Sequence, residues 1–278
     1  MAAAVRIETT ALPIAVTWLQ QAEFPHKLGI LDRIFGRSLS RRGVCWVDTA
    51  AKILWKLDLS NSTHRWIAYG KYEGPGFLKW ASNFLPKNGI VVDSGANIGQ
   101  MLMYLAQMVP KGRVLAFEPG VKQANWLAEC LAINPSLPVE LIRRALGAST
   151  GTAFLNDDGQ PNTHGGQSQI SETTGMPIQI VPLAEELRCR SISGLDLWKL
   201  DIEGYEIPAL KGAHSLLEAG AIQAIYAELH EENGLLIRDY LAALGYRCHL
   251  ITPNGTPRLL KEAPRHCNGL FLRSSQPK

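Results

Sequence analysis

The chain has 278 residues, 46% of them hydrophobic and 19% charged, a composition that supports a globular protein with a sizeable core and argues against disordered or collagen-like sequence. Its 28 basic and 25 acidic residues leave a formal charge of +3, too small and too evenly spread to point to nucleic acid or an anionic membrane as the main partner. Five widely spaced cysteines, Cys45, Cys130, Cys189, Cys248 and Cys267, argue against a disulfide framework or a zinc knuckle. Arg6 and Glu8 stand where a signal peptide needs its apolar run, and no stretch approaches the roughly 18 apolar residues of a membrane span, so a cytoplasmic protein is expected.

Residues 1–80 differ from the rest. They hold five of the seven tryptophans (Trp18, Trp46, Trp55, Trp66 and Trp80) and a run of basic residues that includes Arg33, Arg37, Arg41 and Arg42. The stretch before Gly36 reads as helix, and Gly43–Val47 and Ile53–Leu59, split by Asp48-Thr49-Ala50, read as a hairpin. This part is expected to be an accessory or cap region in which Trp55 and Trp66 anchor the hairpin core.

Residues 81–278 alternate short β-branched runs with helical stretches, the pattern of βαβ units in a parallel sheet with helices on both faces. Strands are expected at Ile90–Asp93, Arg113–Glu118, Val139–Ala145, Leu197–Asp201, Ala224–Glu228, Arg247–Ile251 and Gly269–Leu272, and helices at Ile98–Val109 and Val121–Ile133. Residues 156–176 carry Asn156, Asp157, Asp158, Gly159, Pro161 and Gly165, and are expected to form a long polar binding loop.

The first strand runs into Asp93-Ser94-Gly95-Ala96-Asn97-Ile98-Gly99, a glycine turn that opens a helix. Gly95 lets the backbone approach a ligand closely, and Gly99 lets the helix start pack on the strand. Asp93 would repel a pyrophosphate, which disfavours a nicotinamide dehydrogenase, and suits the sulfonium and ammonium groups of S-adenosylmethionine instead. Glu118 closes the second strand, where an acid can accept two hydrogen bonds from a ribose diol.

Lys199, Asp201 and Glu203 alternate along the fourth strand and its exit, so they share one face. Asp201 is a candidate ligand-orienting acid or general base, and Glu203 either joins it or holds the Gly204 turn; an internal Lys199–Glu203 ion pair is the alternative. Glu228 and His230 end the fifth strand and point the same way, and His230 is the best-matched general base for a hydroxyl acceptor. Asp201, Glu228 and His230 also form a candidate divalent-cation set, although the spacing does not demand a metal. In the polar loop, Asn162, His164 and Ser168 are candidate acceptor-binding residues, and His164 is a second candidate base.

Three stretches, Asp93–Gly99, Phe117-Glu118-Pro119 and Lys199-Leu200-Asp201-Ile202-Glu203-Gly204-Tyr205-Glu206, together resemble the FkbM family of S-adenosylmethionine-dependent methyltransferases, over about residues 70–250. Ser94 departs from the family, where hydrophobic residues are commoner. The resemblance implies a Rossmann-like seven-stranded class I methyltransferase sheet, S-adenosylmethionine as cofactor, and O-methylation of a hydroxyl on a sugar or glycosylated natural product. It adds Tyr72 and Glu73 as a tyrosine-acid pair, the ring offering cation–π attraction to the sulfonium. The implied cofactor set is then Tyr72, Glu73, Asp93, Gly95, Asn97, Gly99, Glu118, Pro119, Ala145 and Asp201, and the catalytic set His230, Asp201 and Glu203. N-methylation of a small metabolite and a scaffold without turnover stay open, as does a homodimer.

Overall fold

The computed structural model describes residues 8–22, 24–70, 74–156, 169–171, 173–260 and 266–273. Two compact units are present. The first combines the described part of Met1–Glu73 with Trp126–Pro135, and the second holds Gly74–Asn125 and most of the remaining chain.

In the first unit, α1 (Ile14–Leu19) and α2 (Lys27–Ser40) precede the antiparallel hairpin β1 (Val44–Asp48) and β2 (Leu54–Asp58), followed by α3 (Ser62–Ala68). The hairpin lies where its apolar alternation places it, and Trp55 is fully buried as a core anchor. A partly buried ion pair ties the helices together. Asp32 on α2 receives both Nε (2.6 Å) and Nη2 (3.1 Å) of Arg65 on α3, plus the Tyr69 hydroxyl (3.0 Å). Gly36 makes room for this pair, because a Cβ there would stand 2.9 Å from Asp32 Oδ1. This explains why α2 continues through a glycine in mid-helix. Residues Trp126–Pro135 cover the outer edge of β2: Asn134 exchanges hydrogen bonds with Leu54 N (3.1 Å) and Leu54 O (2.8 Å), and Trp126 Nε1 donates to Lys56 O (2.7 Å). Satisfying that edge removes a template for strand addition.

The second unit opens with α4 (Pro75–Phe84), then β3 (Ile90–Ser94), α5 (Leu102–Met108), β4 (Arg113–Phe117), the start of α6 (Val121–Ile133), which from Trp126 onward belongs to the first unit, and β5 (Val139–Ile142). Next come β6 (Ala145–Leu146), β7 (Gly151–Asn156), β8 (Gln169–Ser171), β9 (Met176–Val181) and α7 (Leu183–Cys189). The chain continues through β10 (Leu195–Leu200), α8 (Glu206–Gly212), α9 (His214–Glu218), β11 (Ile222–His230), α10 (Glu231–Ala243), β12 (Tyr246–Ile251), β13 (Pro257–Leu259) and β14 (His266–Arg273).

The main sheet has the order β13-β12-β14-β11-β10-β3-β4-β5. The five strands from β5 to β11 are parallel, and β14, β12 and β13 add antiparallel. Seven strands match the expected class I methyltransferase sheet, and β13 extends it by a hairpin. One face carries Val92, Leu115, Trp198, Ile225 and Phe271 into a core with Leu183, Leu210 and Leu241 of α7, α8 and α10. On the other face Phe77 of α4 stacks on Tyr226 of β11 at 3.7 Å between ring centroids, and α4 packs on α5. Helices therefore cover both faces, as the near-continuous apolar strands require.

Three expectations are corrected. The strand read as Val139–Ala145 ends at Ile142; Arg143 turns to Asn125 (2.8 Å) and Arg144 pairs with Glu186, so two consecutive arginines leave the sheet. Ala145 and Leu146 join a second, four-stranded sheet of order β6-β9-β7-β8, built around Ala145, Ala153, Leu155, Ile178 and Ile180. Residues 156–176 are not wholly loop, since Gln169–Ser171 adds an edge strand to β7; residues 157–168 lie outside the described part.

Candidate active site

Parallel strands direct their carboxyl ends to one edge of the sheet, the edge at which open α/β sheets bind ligands. Cross-strand register places Asp93 opposite both Ala116 and Lys199, and Lys199 opposite Tyr226, so Asp93, Lys199 and Tyr226 form one row on a single face. Past β3 the chain turns sharply: Gly95 (φ +77°), Asn97 (φ +49°) and Gly99 (φ +93°) adopt left-handed backbone. A Cβ on Gly95 would come within 1.9 Å of Asp201 O, so only glycine lets the β3 turn seat directly against the β10 exit. Ser94 has a structural role: its hydroxyl accepts the indole N–H of fully buried Trp198 at 2.8 Å.

Glu118 follows β4 and is nearly buried. Its Oε2 accepts Asn97 N and its Oε1 accepts Gly120 N, both at 2.8 Å, which fixes the carboxylate toward the glycine turn. Burial raises its pKa, opposed by these two amides. Asp93 is 1% exposed, and burial likewise pushes its carboxyl above the ordinary range despite the nearby Lys199 ammonium. Lys199 Nζ stands 3.3 Å from Asp93 Oδ1 and 3.1 Å from Asp201 Oδ2. The lysine therefore bridges two aspartates instead of pairing with Glu203. Lys199 forms an ion pair with Asp93 Oδ1, and among the described residues that buried oxygen has no hydrogen-bond partner.

Asp201, Glu203 and Glu228 bring one carboxylate oxygen each within 4.8 Å of one another. Burial opposes the charge of Asp201, but Lys199 pulls its carboxyl below the usual value. Burial and the charge of Asp201 raise Glu228. Glu203, held at φ +53°, is pushed up to about 7 by burial and by its acidic neighbours. His230 Nε2 lies 2.8 Å from Glu228 Oε1; partial burial disfavours the imidazolium, yet the Glu228 contact carries the net pKa above 6.5. The acids clustered closely enough to share a cation are thus Asp201, Glu203 and Glu228, with His230 bound to Glu228 beside them.

The structure brings Asp93, Gly95, Asn97, Gly99 and Glu118, followed by Pro119, to the turns at the ends of β3 and β4, with Asp201, Glu203, Glu228 and His230 at the ends of β10 and β11. Ala145 is instead packed in the second sheet. Tyr72, Glu73, Asn162, His164 and Ser168 lie outside the described residues. The bridging role of Lys199 was not anticipated, although its two-residue offset from Asp201 on one strand face was the available signal. Nor was Glu206 given a role: it is buried and accepts N–H groups from Ile202 and Gly204.

The methyltransferase FkbM domain matches residues 93–248, more than half of the chain and the whole of this edge. The chain belongs to the FkbM methyltransferase family. Among relatives of this FkbM protein, "Methyltransferase sdnD" of Sordaria araneosa is 28% identical over 161 residues, covering 46% of this chain and 61% of that protein. "Hexuronic acid methyltransferase AglP" of Haloferax volcanii is 24% identical over 144 residues, covering 52% and 57%. The chain thus spans about three fifths of the length of these two relatives. A crystal structure of an S-adenosylmethionine-dependent methyltransferase from Aquifex aeolicus aligns with a TM-score of 0.42 at 15% identity, covering 72% of this chain and 88% of that one. Among the described residues of the FkbM chain, no helix is long and apolar enough to cross a membrane.

Proposed function

We propose that the chain is an S-adenosylmethionine-dependent methyltransferase that methylates a hydroxyl of a saccharide-containing small molecule. The observation that carries this reading is the pairing of two different sets of groups along one sheet edge. One set fits the cofactor: Glu118, its carboxylate fixed by two backbone amides, keeps lone pairs for a ribose diol, and buried Asp93 offers an oxygen without a hydrogen-bond partner toward a cationic group. The other set, Asp201, Glu203, Glu228 and His230, is chemistry for removing a proton.

S-adenosylmethionine, when bound, supplies a methyl group on a positively charged sulfur. The chain supplies orientation and proton uptake. The His230 imidazole, 2.8 Å from Glu228 Oε1, is placed to take the proton of an attacking hydroxyl. Glu228 then stabilises the imidazolium that results. Asp201, pinned by Lys199, is placed to orient the acceptor. The naming of one distant relative as a hexuronic acid methyltransferase adds support for a sugar acceptor.

Incubating the full chain with methyl-labelled S-adenosylmethionine and a panel of free sugars, sugar acids and glycosylated metabolites tests this, with and without a chelator. Label in a base-stable ether of a sugar is the expected result, insensitive to chelation. Label on nitrogen would replace the hydroxyl acceptor by an amine; loss of transfer with chelator, restored by magnesium, would assign Asp201, Glu203 and Glu228 to a cation. Absence of any transfer across the panel would count against the reading.

A further inference from the structure

The Lys199–Glu206 stretch ends on a residue that the chemistry above leaves unused. Glu206 begins α8, is 2% exposed, and spends both carboxylate oxygens on neighbours. Its Oε1 accepts the backbone N–H of Ile202 (3.1 Å) and of Gly204 (3.2 Å), and its Oε2 accepts Asn233 Nδ2 (2.7 Å). The two backbone donors flank Glu203, and Asn233 lies in the first turn of α10, the helix that starts immediately after His230. One carboxylate therefore fastens the acid-bearing turn after β10 to the junction that carries the base.

The turn requires such a fastening. Glu203 at φ +53° and Gly204 at φ +95° are consecutive left-handed residues, a conformation that is strained for a residue with a side chain. Backbone of this kind persists only where its surroundings over-determine it. Within the turn, the remaining backbone bond is the 3.3 Å contact from Tyr205 N to Ile202 O. Glu206 supplies two further bonds to this turn, through the Ile202 and Gly204 N–H groups.

We propose that Glu206, with Asn233 as its partner, is a positioning residue that holds Glu203 and the β11–α10 junction in the arrangement needed for proton removal. The proposal rests on the reading of Asp201, Glu203, Glu228 and His230 as the acceptor side of a methyltransferase. A glutamine can do most of the work: its amide oxygen takes the same two backbone N–H groups, and its NH2 donates to the Asn233 side chain once that amide turns over. Alanine can do none of it.

Two readouts on the full chain test this, with Glu206→Ala, Glu206→Gln, Asn233→Ala and the double Glu206→Ala/Asn233→Ala variant. In the panel assay, Glu206→Ala is expected to lower kcat on the order of 10- to 100-fold, with S-adenosylmethionine affinity held within about twofold, because misplacement by a fraction of an ångström acts on the reacting geometry. Glu206→Gln should recover most of the rate, Asn233→Ala should lose part of it, and the double variant should be no slower than Glu206→Ala alone. Amide hydrogen exchange at Ile202 and Gly204 reads the turn without any acceptor. Exchange there should quicken about 10- to 100-fold in Glu206→Ala and stay near wild type in Glu206→Gln. Full kcat in Glu206→Ala overturns the proposal, as does a loss of kcat matched by equal losses of cofactor affinity and melting temperature. A wild-type chain inert on the whole panel would defeat the functional reading; the exchange data then decide this one, and unchanged exchange in Glu206→Ala overturns it.

Discussion

Lys199→Met is expected to destabilise the protein by about 3–5 kcal/mol, the cost of leaving a buried charge without its partner. The lysine is nearly buried and holds two aspartates apart from one another's charge, at 3.3 Å and 3.1 Å. Methionine keeps the length of the side chain and removes only the ammonium, so the loss reads the ion pair and not a cavity. Asp93, 1% exposed, would have to take up a proton or drive local unfolding. Urea denaturation at pH 7 measures this, and adding Asp93→Asn to Lys199→Met should restore part of the lost stability. The pH dependence has a defined sign. Lys199 has its pKa raised above the ordinary 10.5 by Asp201 and Asp93, against the opposing effect of burial. Its contribution is therefore complete below about pH 10.5 and fades as pH rises through the folded value, an alkaline loss absent from Lys199→Met. Unchanged stability in Lys199→Met would mean that the two aspartates are already protonated or solvated.

His230→Ala is expected to lower turnover by a factor on the order of 10² to 10⁴ while S-adenosylmethionine affinity stays near wild type, since a general base acts on the acceptor in the transition state. In the wild type the rate should rise with pH as the imidazolium loses its proton, with a midpoint above 6.5 because Glu228 outweighs partial burial. Glu203, which titrates at about 7, loses its proton in the same range. The His230→Ala variant separates the two: a residual rate that still climbs through pH 7 reports Glu203, and a flat one reports His230. A His230→Ala enzyme with full activity would move the base to Asp201, Glu203 or Glu228.

The sequence shows the site more clearly than it shows the elements around it. Helix α6 lies at Val121–Ile133 as the apolar spacing places it, and the β1–β2 hairpin follows the two alternating runs except that Asp48, expected in the turn, ends β1. Helix α5 starts four residues later than expected, at Leu102, because Asn97 and Gly99 hold left-handed backbone that cannot join a right-handed helix. Strands β11 and β14 run further than their apolar stretches: Glu228 pairs with Asn268 and His230 with His266, so the ladder continues beyond the apolar run. Hydrophobic pattern alone stops at that boundary. The second sheet was missed for another reason. Its strands β6 and β8 have two and three residues and pair with β9 and β7, contacts set by tertiary packing and not by local periodicity. At the site, the strand alternation that put Lys199, Asp201 and Glu203 on one face fails after Asp201, because Glu203 is left-handed. Lys199 meets Asp93 through the β10–β3 register, and Glu203, beyond the strand, lies with Asp201 and Glu228.

Calorimetric titration of the full chain with S-adenosylmethionine and with NAD measures cofactor binding at the ends of β3 and β4 most directly. The wild type should bind S-adenosylmethionine and its demethylated product and show no heat with NAD. Glu118→Ala should weaken that binding by about 1–3 kcal/mol, the usual cost of losing a charged hydrogen-bond partner. Binding of equal strength in Glu118→Ala and wild type, or binding of NAD in place of S-adenosylmethionine, would contradict it.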